Sequence, residues 1–198
     1  MAEITSDMIK TLRETTQAGM VDCKKALQET DGDMQKAIEF LRKKGLASAD
    51  KKMGSAVTEG IVASYIHSNN KVGVLIELRT VTDFVARNPD FQELAKELCM
   101  QIAAAAPLYV KMEDVPIDVI EKEKEIYREQ MKDSEKPGNV VEKIVEGKLS
   151  KFYSDVCLLE QEYIKENKII IKDLIKEKIA AFGENIEVTR FSRFQIGG

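Results

Sequence analysis

Apolar positions along the chain change rhythm twice. Up to Gly45 they recur at helical spacing in three short bursts: Met8, Ile9 and Leu12; a run from Val21 to Glu29; then Met34, Ala37, Ile38 and Leu41. Thr5 or Ser6 supplies a cap for the first helix, and Gln17-Ala18-Gly19 breaks it. Thr30-Asp31-Gly32-Asp33 forms a turn that also caps the third helix, and Gly45 sits where a C-terminal cap belongs. Helices this short are unstable alone, so residues 1–45 are expected to pack as a three-helix bundle. Residues 46–60 change texture to Ala, Ser, Lys, Gly and Thr, which reads as a linker, helical through Ala47 to Lys52.

Beyond the linker the rhythm becomes two. Ile61 to His67 and Lys71 to Val81 read as strands; in the second, Val72, Val74, Ile76 and Leu78 alternate onto one face. Ser68-Asn69-Asn70 between them suits a tight hairpin turn, because Asn tolerates positive φ. A helix follows from Pro89 to about Ala106, ended by Pro107, with Phe91, Leu94, Ala95, Leu98, Ile102 and Ala105 on one face. Pro116 opens a charged helix to about Met131, Lys136 to Asn139 is a turn, and Val140, Val141, Ile144, Val145 and Leu149 mark a further core helix. Ile171 to Phe182 is the last helix, stopped by Gly183, before a third strand from Ile186 to Ile196. The alternation of that strand slips near Arg190 to Ser192, as a bulge there, or burial of the strand on both faces at its middle, would make it do. Residues 61–198 are thus a small antiparallel three-stranded sheet packed with helices, and the whole chain is α+β.

Between the second strand and its following helix stands Thr82-Asp83-Phe84-Val85-Ala86-Arg87, before the helix-start pair Asn88-Pro89. Thr82 and Asp83 both suit the N-cap of a single helical turn, which would hold Phe84 in one orientation. From spacing alone, Phe84 either plugs the end of the sheet or is presented to a partner.

Composition narrows the functions. The 198 residues carry a net charge of −4 with both signs well mixed, so no global field favours nucleic acid or an anionic membrane. No apolar run spans a bilayer and no signal-peptide core is evident, and three distant cysteines suit reduced thiols; a cytoplasmic protein is expected. The one histidine, His67, leaves no mixed-ligand zinc site and no Ser-His-Asp arrangement, and no phosphate-cradling glycine motif is present. Cys23, inside an amphipathic helix, reads as packed rather than as a catalytic thiol. Neither an enzyme nor a cofactor is expected.

Two motifs carry a resemblance. Leu12-Arg13-Glu14, Thr16, Gly19-Met20 and Asp22 to Leu27, and then Glu77-Leu78 with Thr82 to Arg87, are similar to the two signatures of the elongation factor Ts family. The similarity extends over essentially the whole chain, with departures at Gln17, Arg79 and Val81. It implies a ubiquitin-associated-like bundle and a single core subdomain, as in short members. It also implies guanine nucleotide exchange on elongation factor Tu. Under it, Thr82, Asp83, Phe84 and Val85 disturb the partner's magnesium site, Phe84 wedging between two helices, with Ala86 and Arg87 beside them. Lys24 grips another helix of the same domain, and His67 meets the partner's other domains. Lys24 and Lys25 also fit a plain solvated helix face. A homodimer is expected, since a single core subdomain leaves contacts to be supplied and the sheet has an unpaired edge. The rival is a ubiquitin-associated-type adaptor without exchange activity.

Overall fold

In the computed structural model, which describes residues 4–16, 18–132 and 137–197, eight α-helices accompany one three-stranded and one two-stranded sheet. The chain divides into two compact units. One holds the residues up to Gly60 with Arg79–Arg87 and Leu174–Glu187; the other holds Ile61–Leu78, Asn88–Asp173 and the residues from Val188 onward.

The first unit begins with α1 (Ser6–Thr16), α2 (Met20–Glu29) and α3 (Met34–Lys52). Thr5 Oγ1 accepts the Met8 N–H at 3.3 Å, and Asp33 caps α3 by accepting the Lys36 N–H at 3.0 Å. That N–H, with the Lys36 ammonium, holds the Asp33 carboxyl below its ordinary pKa. Asp31 and Gly32 take positive φ (50° and 81°), so the expected turn forms as read. Leu12, Cys23, Ala26, Leu27, Ala37 and Leu41 make the buried centre of the bundle. The departure at Gln17 lies outside the described residues.

Gly45 does not cap α3, contrary to expectation. The helix runs through it to Lys52, and a Cβ at Gly45 would come within 3.1 Å of Ala180 Cβ. The glycine serves close approach to the last helix, α8 (Ile171–Phe182), rather than termination. Ion pairs Arg42–Glu177 and Asp50–Lys176, both 2.8 Å, join the same two helices.

Strands β1 (Glu59–Ile66), β2 (Val72–Thr80) and β5 (Ile186–Gln195), most of whose residues belong to the second unit, form an antiparallel sheet in the order β1-β2-β5. Asn70 turns the hairpin at φ 55°. Val74, Ile76 and Leu78 are buried, as the alternation requires. Burial along β5 changes parity between Val188 and Phe191, where the sequence slips. Helix α5 (Pro89–Ala105) starts with Asn88 accepting the Asp90 N–H at 2.8 Å, and ends at Ala106 in the left-handed region before Pro107. It buries Phe91, Leu94, Ala95, Leu98 and Ile102.

Helix α7 (Gly138–Val156) departs from the reading. Of its five expected core positions only Val145 is buried, because its packing partner is α6 (Ile117–Glu129), which has no buried residue of its own. Polar ties join this helical pair: Arg128 donates to Glu142 at 2.9 Å, and the Lys148 ammonium lies 5.5 Å from the centre of the Tyr127 ring. The turn at Lys136–Asn139 is also displaced, since Gly138 and Asn139 already belong to α7; Lys136 lies outside the described residues. A hairpin of β3 (Glu162–Tyr163) and β4 (Glu166–Ile170) was not foreseen. Buried Gln101 holds it, donating to the Glu162 carbonyl at 3.1 Å and accepting the Ile164 N–H at 2.9 Å.

Candidate functional site

The corner after β2 is built from local capping. Thr82 is extended (φ −122°, ψ 152°) and its hydroxyl accepts the Val85 N–H at 3.5 Å, so a one-turn helix, α4 (Asp83–Ala86), starts where sequence placed it. Two backbone bonds close the turn, Ala86 N–H to the Thr82 carbonyl at 3.2 Å and Arg87 N–H to the Asp83 carbonyl at 3.0 Å. One turn places residues 83, 84 and 87 on one side and 85 and 86 on the other. Val85 and Ala86 are each 5% exposed and anchor the turn, while Phe84 is 81% exposed. The sheet-plug reading of Phe84 is therefore excluded. Val85 and Ala86 support the site with buried side chains, and Asp83 and Arg87 flank the ring as an exposed ion pair at 3.0 Å. That pair is worth at most about 0.5 kcal/mol in water.

A singly exposed apolar residue is ordinary on a protein surface. Phe84 differs in that the backbone beneath it is fixed from outside the corner. Glu184, which sequence reasoning missed, accepts the Thr82 hydroxyl at 2.8 Å through Oε1. Its Oε2 accepts the Thr82 N–H at 3.0 Å and the Thr80 hydroxyl at 3.1 Å. One sequence signal pointed that way. Thr80 lies on the inward parity of β2 and is fully buried, so its hydroxyl needed a partner from elsewhere.

Lys24 lies on the solvent face of α2. Val21, Lys24, Lys25 and Gln28 are all exposed at helical spacing, while Cys23, Ala26 and Leu27 face the bundle interior. Asp22 is engaged by Lys44 at 2.6 Å, which leaves the lysine pair as the cationic feature of that face. In the other unit, His67 opens the hairpin turn. Its N–H donates to the Val72 carbonyl at 2.9 Å, its carbonyl accepts the Asn70 N–H at 2.8 Å, and its exposed ring places Nδ1 3.0 Å from the Tyr65 hydroxyl.

Thiol chemistry finds no footing. Cys23, Cys99 and Cys157 are unpaired and fully buried; Cys23 Sγ donates to the Ala18 carbonyl at 3.6 Å. Burial pushes the Cys99 and Cys157 thiols up to about 11, away from the reactive thiolate. Among the described residues no cluster of three or more His, Cys, Asp or Glu side chains could hold a metal ion, and no helix is long and apolar enough to cross a membrane.

The family model described as elongation factor TS matches residues 3–198. The chain is 60% identical over 195 residues to elongation factor Ts of Fervidobacterium nodosum, covering 98% of this chain and 99% of that one. It is likewise 60% identical over 195 residues to elongation factor Ts of Thermotoga maritima, covering 98% and 97%. Elongation factor Ts of Carboxydothermus hydrogenoformans is 58% identical over 194 residues, covering 98% and 89%. On this similarity, which takes in both the bundle and the Phe84 corner, the chain belongs to the elongation factor Ts family of translation factors.

Proposed function

We propose that this chain is a guanine nucleotide exchange factor for elongation factor Tu, and that Phe84 is its wedge. The observation that supports this most is a large aromatic ring, 81% exposed, on a turn capped by its own sequence and held by Glu184. A turn whose backbone is fixed before any partner arrives loses little backbone freedom on insertion of the ring it carries, which is what preorganised binding requires. In this reading Phe84 enters a gap between two helices of the partner's nucleotide domain. Asp83, exposed beside the ring, helps hold the displaced arrangement, Thr82 and the buried Val85 support it by fixing the turn, and the partner's magnesium loses its geometry. Lys24 docks the bundle, and His67 and Arg87 belong to further contact surfaces, whereas Ala86, buried at 5% exposure, contributes by anchoring the turn rather than by touching the partner. The chain itself catalyses no covalent chemistry and acts in the cytoplasm.

The energetics are those of linkage. A factor that binds the GDP-free partner more tightly than the GDP-bound one weakens GDP by the same ratio, commonly about 1–3 kcal/mol. Burying one Phe side chain yields about 1.5–3 kcal/mol, which is enough. GTP binding then expels the factor by the same reciprocity.

We also propose a homodimer. Val62, Ile66, Leu75 and Phe194 are exposed apolar side chains of the three-stranded sheet, a surface that a second copy would cover. Sedimentation equilibrium at micromolar concentration decides this, and a monomer mass would exclude it. For exchange, the test is release of fluorescent GDP from elongation factor Tu with and without the protein. Acceleration that saturates with added protein supports the proposal. Binding without acceleration would instead identify an adaptor.

A further inference from the structure

We infer that Glu184 is a positioning residue for the Phe84 corner: its carboxylate clasps Thr82 and sets the direction in which the one-turn helix presents the ring. The inference rests on the exchange reading above. If Glu184 only satisfied the buried Thr80 hydroxyl, one bond would suffice. Two of its three bonds go instead to Thr82, one to the N–H and one to the hydroxyl. The same hydroxyl accepts the Val85 N–H, so the rotamer that caps α4 is the one that Glu184 holds. Bonds to an ionised carboxylate are the stronger class.

Glu184 is itself held at both neighbours. Gly183 takes a positive φ of 77° and its N–H bonds the Ile179 carbonyl at 2.9 Å, ending α8 and turning the chain. The Lys52 ammonium bonds the Gly183 carbonyl, and the Asn185 side-chain amide donates to the Ser55 carbonyl at 2.8 Å. The carboxylate is thus delivered from α8 on a segment tied to the end of α3 and to the residues just after it. Without it the Thr82 N–H loses its acceptor and the capping hydroxyl is free to rotate. The free protein then spends less time in the presenting geometry, and apparent affinity falls by that fraction.

The experiment uses the full chain with Glu184→Gln and Glu184→Ala, Gln keeping the shape while removing the charge and one acceptor. Amide hydrogen exchange of the free protein should show Thr82 and Val85 losing about tenfold or more of their protection, with α5 unchanged. In GDP release from elongation factor Tu, the half-saturating concentration should rise about tenfold while the maximal rate stays within about twofold, because the bound partner re-forms the turn. In a Phe84→Ala background, Glu184→Gln should add less than about twofold, since the two act through one ring. Unchanged Thr82 protection, or a Glu184→Gln effect on half-saturation that fully adds to that of Phe84→Ala, overturns the inference. If Glu184→Ala does not fold, Glu184→Gln alone decides. If the unmodified protein fails to accelerate GDP release, the exchange reading falls, and the clasp stands or falls on Thr82 protection alone.

Discussion

Phe84→Ala separates a presenting role from a packing role in one substitution. The ring is 81% exposed, so its removal opens no cavity, and the surrounding Val85 and Ala86 keep their burial. Exposed substitutions change stability by about 0.5 kcal/mol or less. For a chain of this size that is a melting shift of about 2 °C at most. A core Phe would instead cost about 3–5 kcal/mol, a shift on the order of 6–20 °C. Function should move in the opposite proportion. If the ring supplies about 1.5–3 kcal/mol of burial in the complex, its loss lowers stimulated GDP release by about tenfold to a hundredfold. The assays are a thermal melt and fluorescent-GDP release at matched folded concentration. A large fall in Tm with release intact per folded molecule would refute the reasoning.

Lys24→Glu should slow association with elongation factor Tu at low salt and make its loss with added salt shallower, because the screened attraction is gone, while saturating protein restores near-normal release; a depressed plateau would mean that Lys24 does more than dock. Gln101→Leu should destabilise the second unit by about 2 kcal/mol or more, because the Ile164 N–H and Glu162 carbonyl lose their partner; a denaturant melt with unchanged midpoint would contradict this. The buried thiols Cys99 and Cys157 should resist iodoacetamide at pH 8.5 in the native protein and react on unfolding, as read by intact mass. With folded values near 11 against an ordinary 9.0, their contribution to stability should be complete below pH 9 and decline as pH rises toward 11.

The corner was legible because everything that forms it is local. Thr82 and Asn88 are caps, Pro89 fixes a helix start, and the alternation of Val74, Ile76 and Leu78 delivers the strand to that point. Sequence could not decide which way Phe84 faced, since exposure follows from the burial of Val85 and Ala86. Glu184 escaped because its partners lie about a hundred positions away and no periodicity marks it. Gly45 misled for a related reason: its local meaning is termination, while the close approach of Ala180 gives it another use. The apolar stripe of α7 was real but narrow, and its amphipathic partner α6 cannot bury it. Gln101, polar within the apolar run of α5, was the one sign that the β3–β4 hairpin would need an anchor.

The most direct test of the central claim is a pair of equilibrium measurements on elongation factor Tu. One is the Kd for GDP with and without saturating amounts of this protein. The other is the Kd for this protein with the GDP site empty and filled. Exchange by linkage predicts that both change, by the same factor, and by about tenfold or more. A GDP affinity that does not move while the protein is bound would contradict the account.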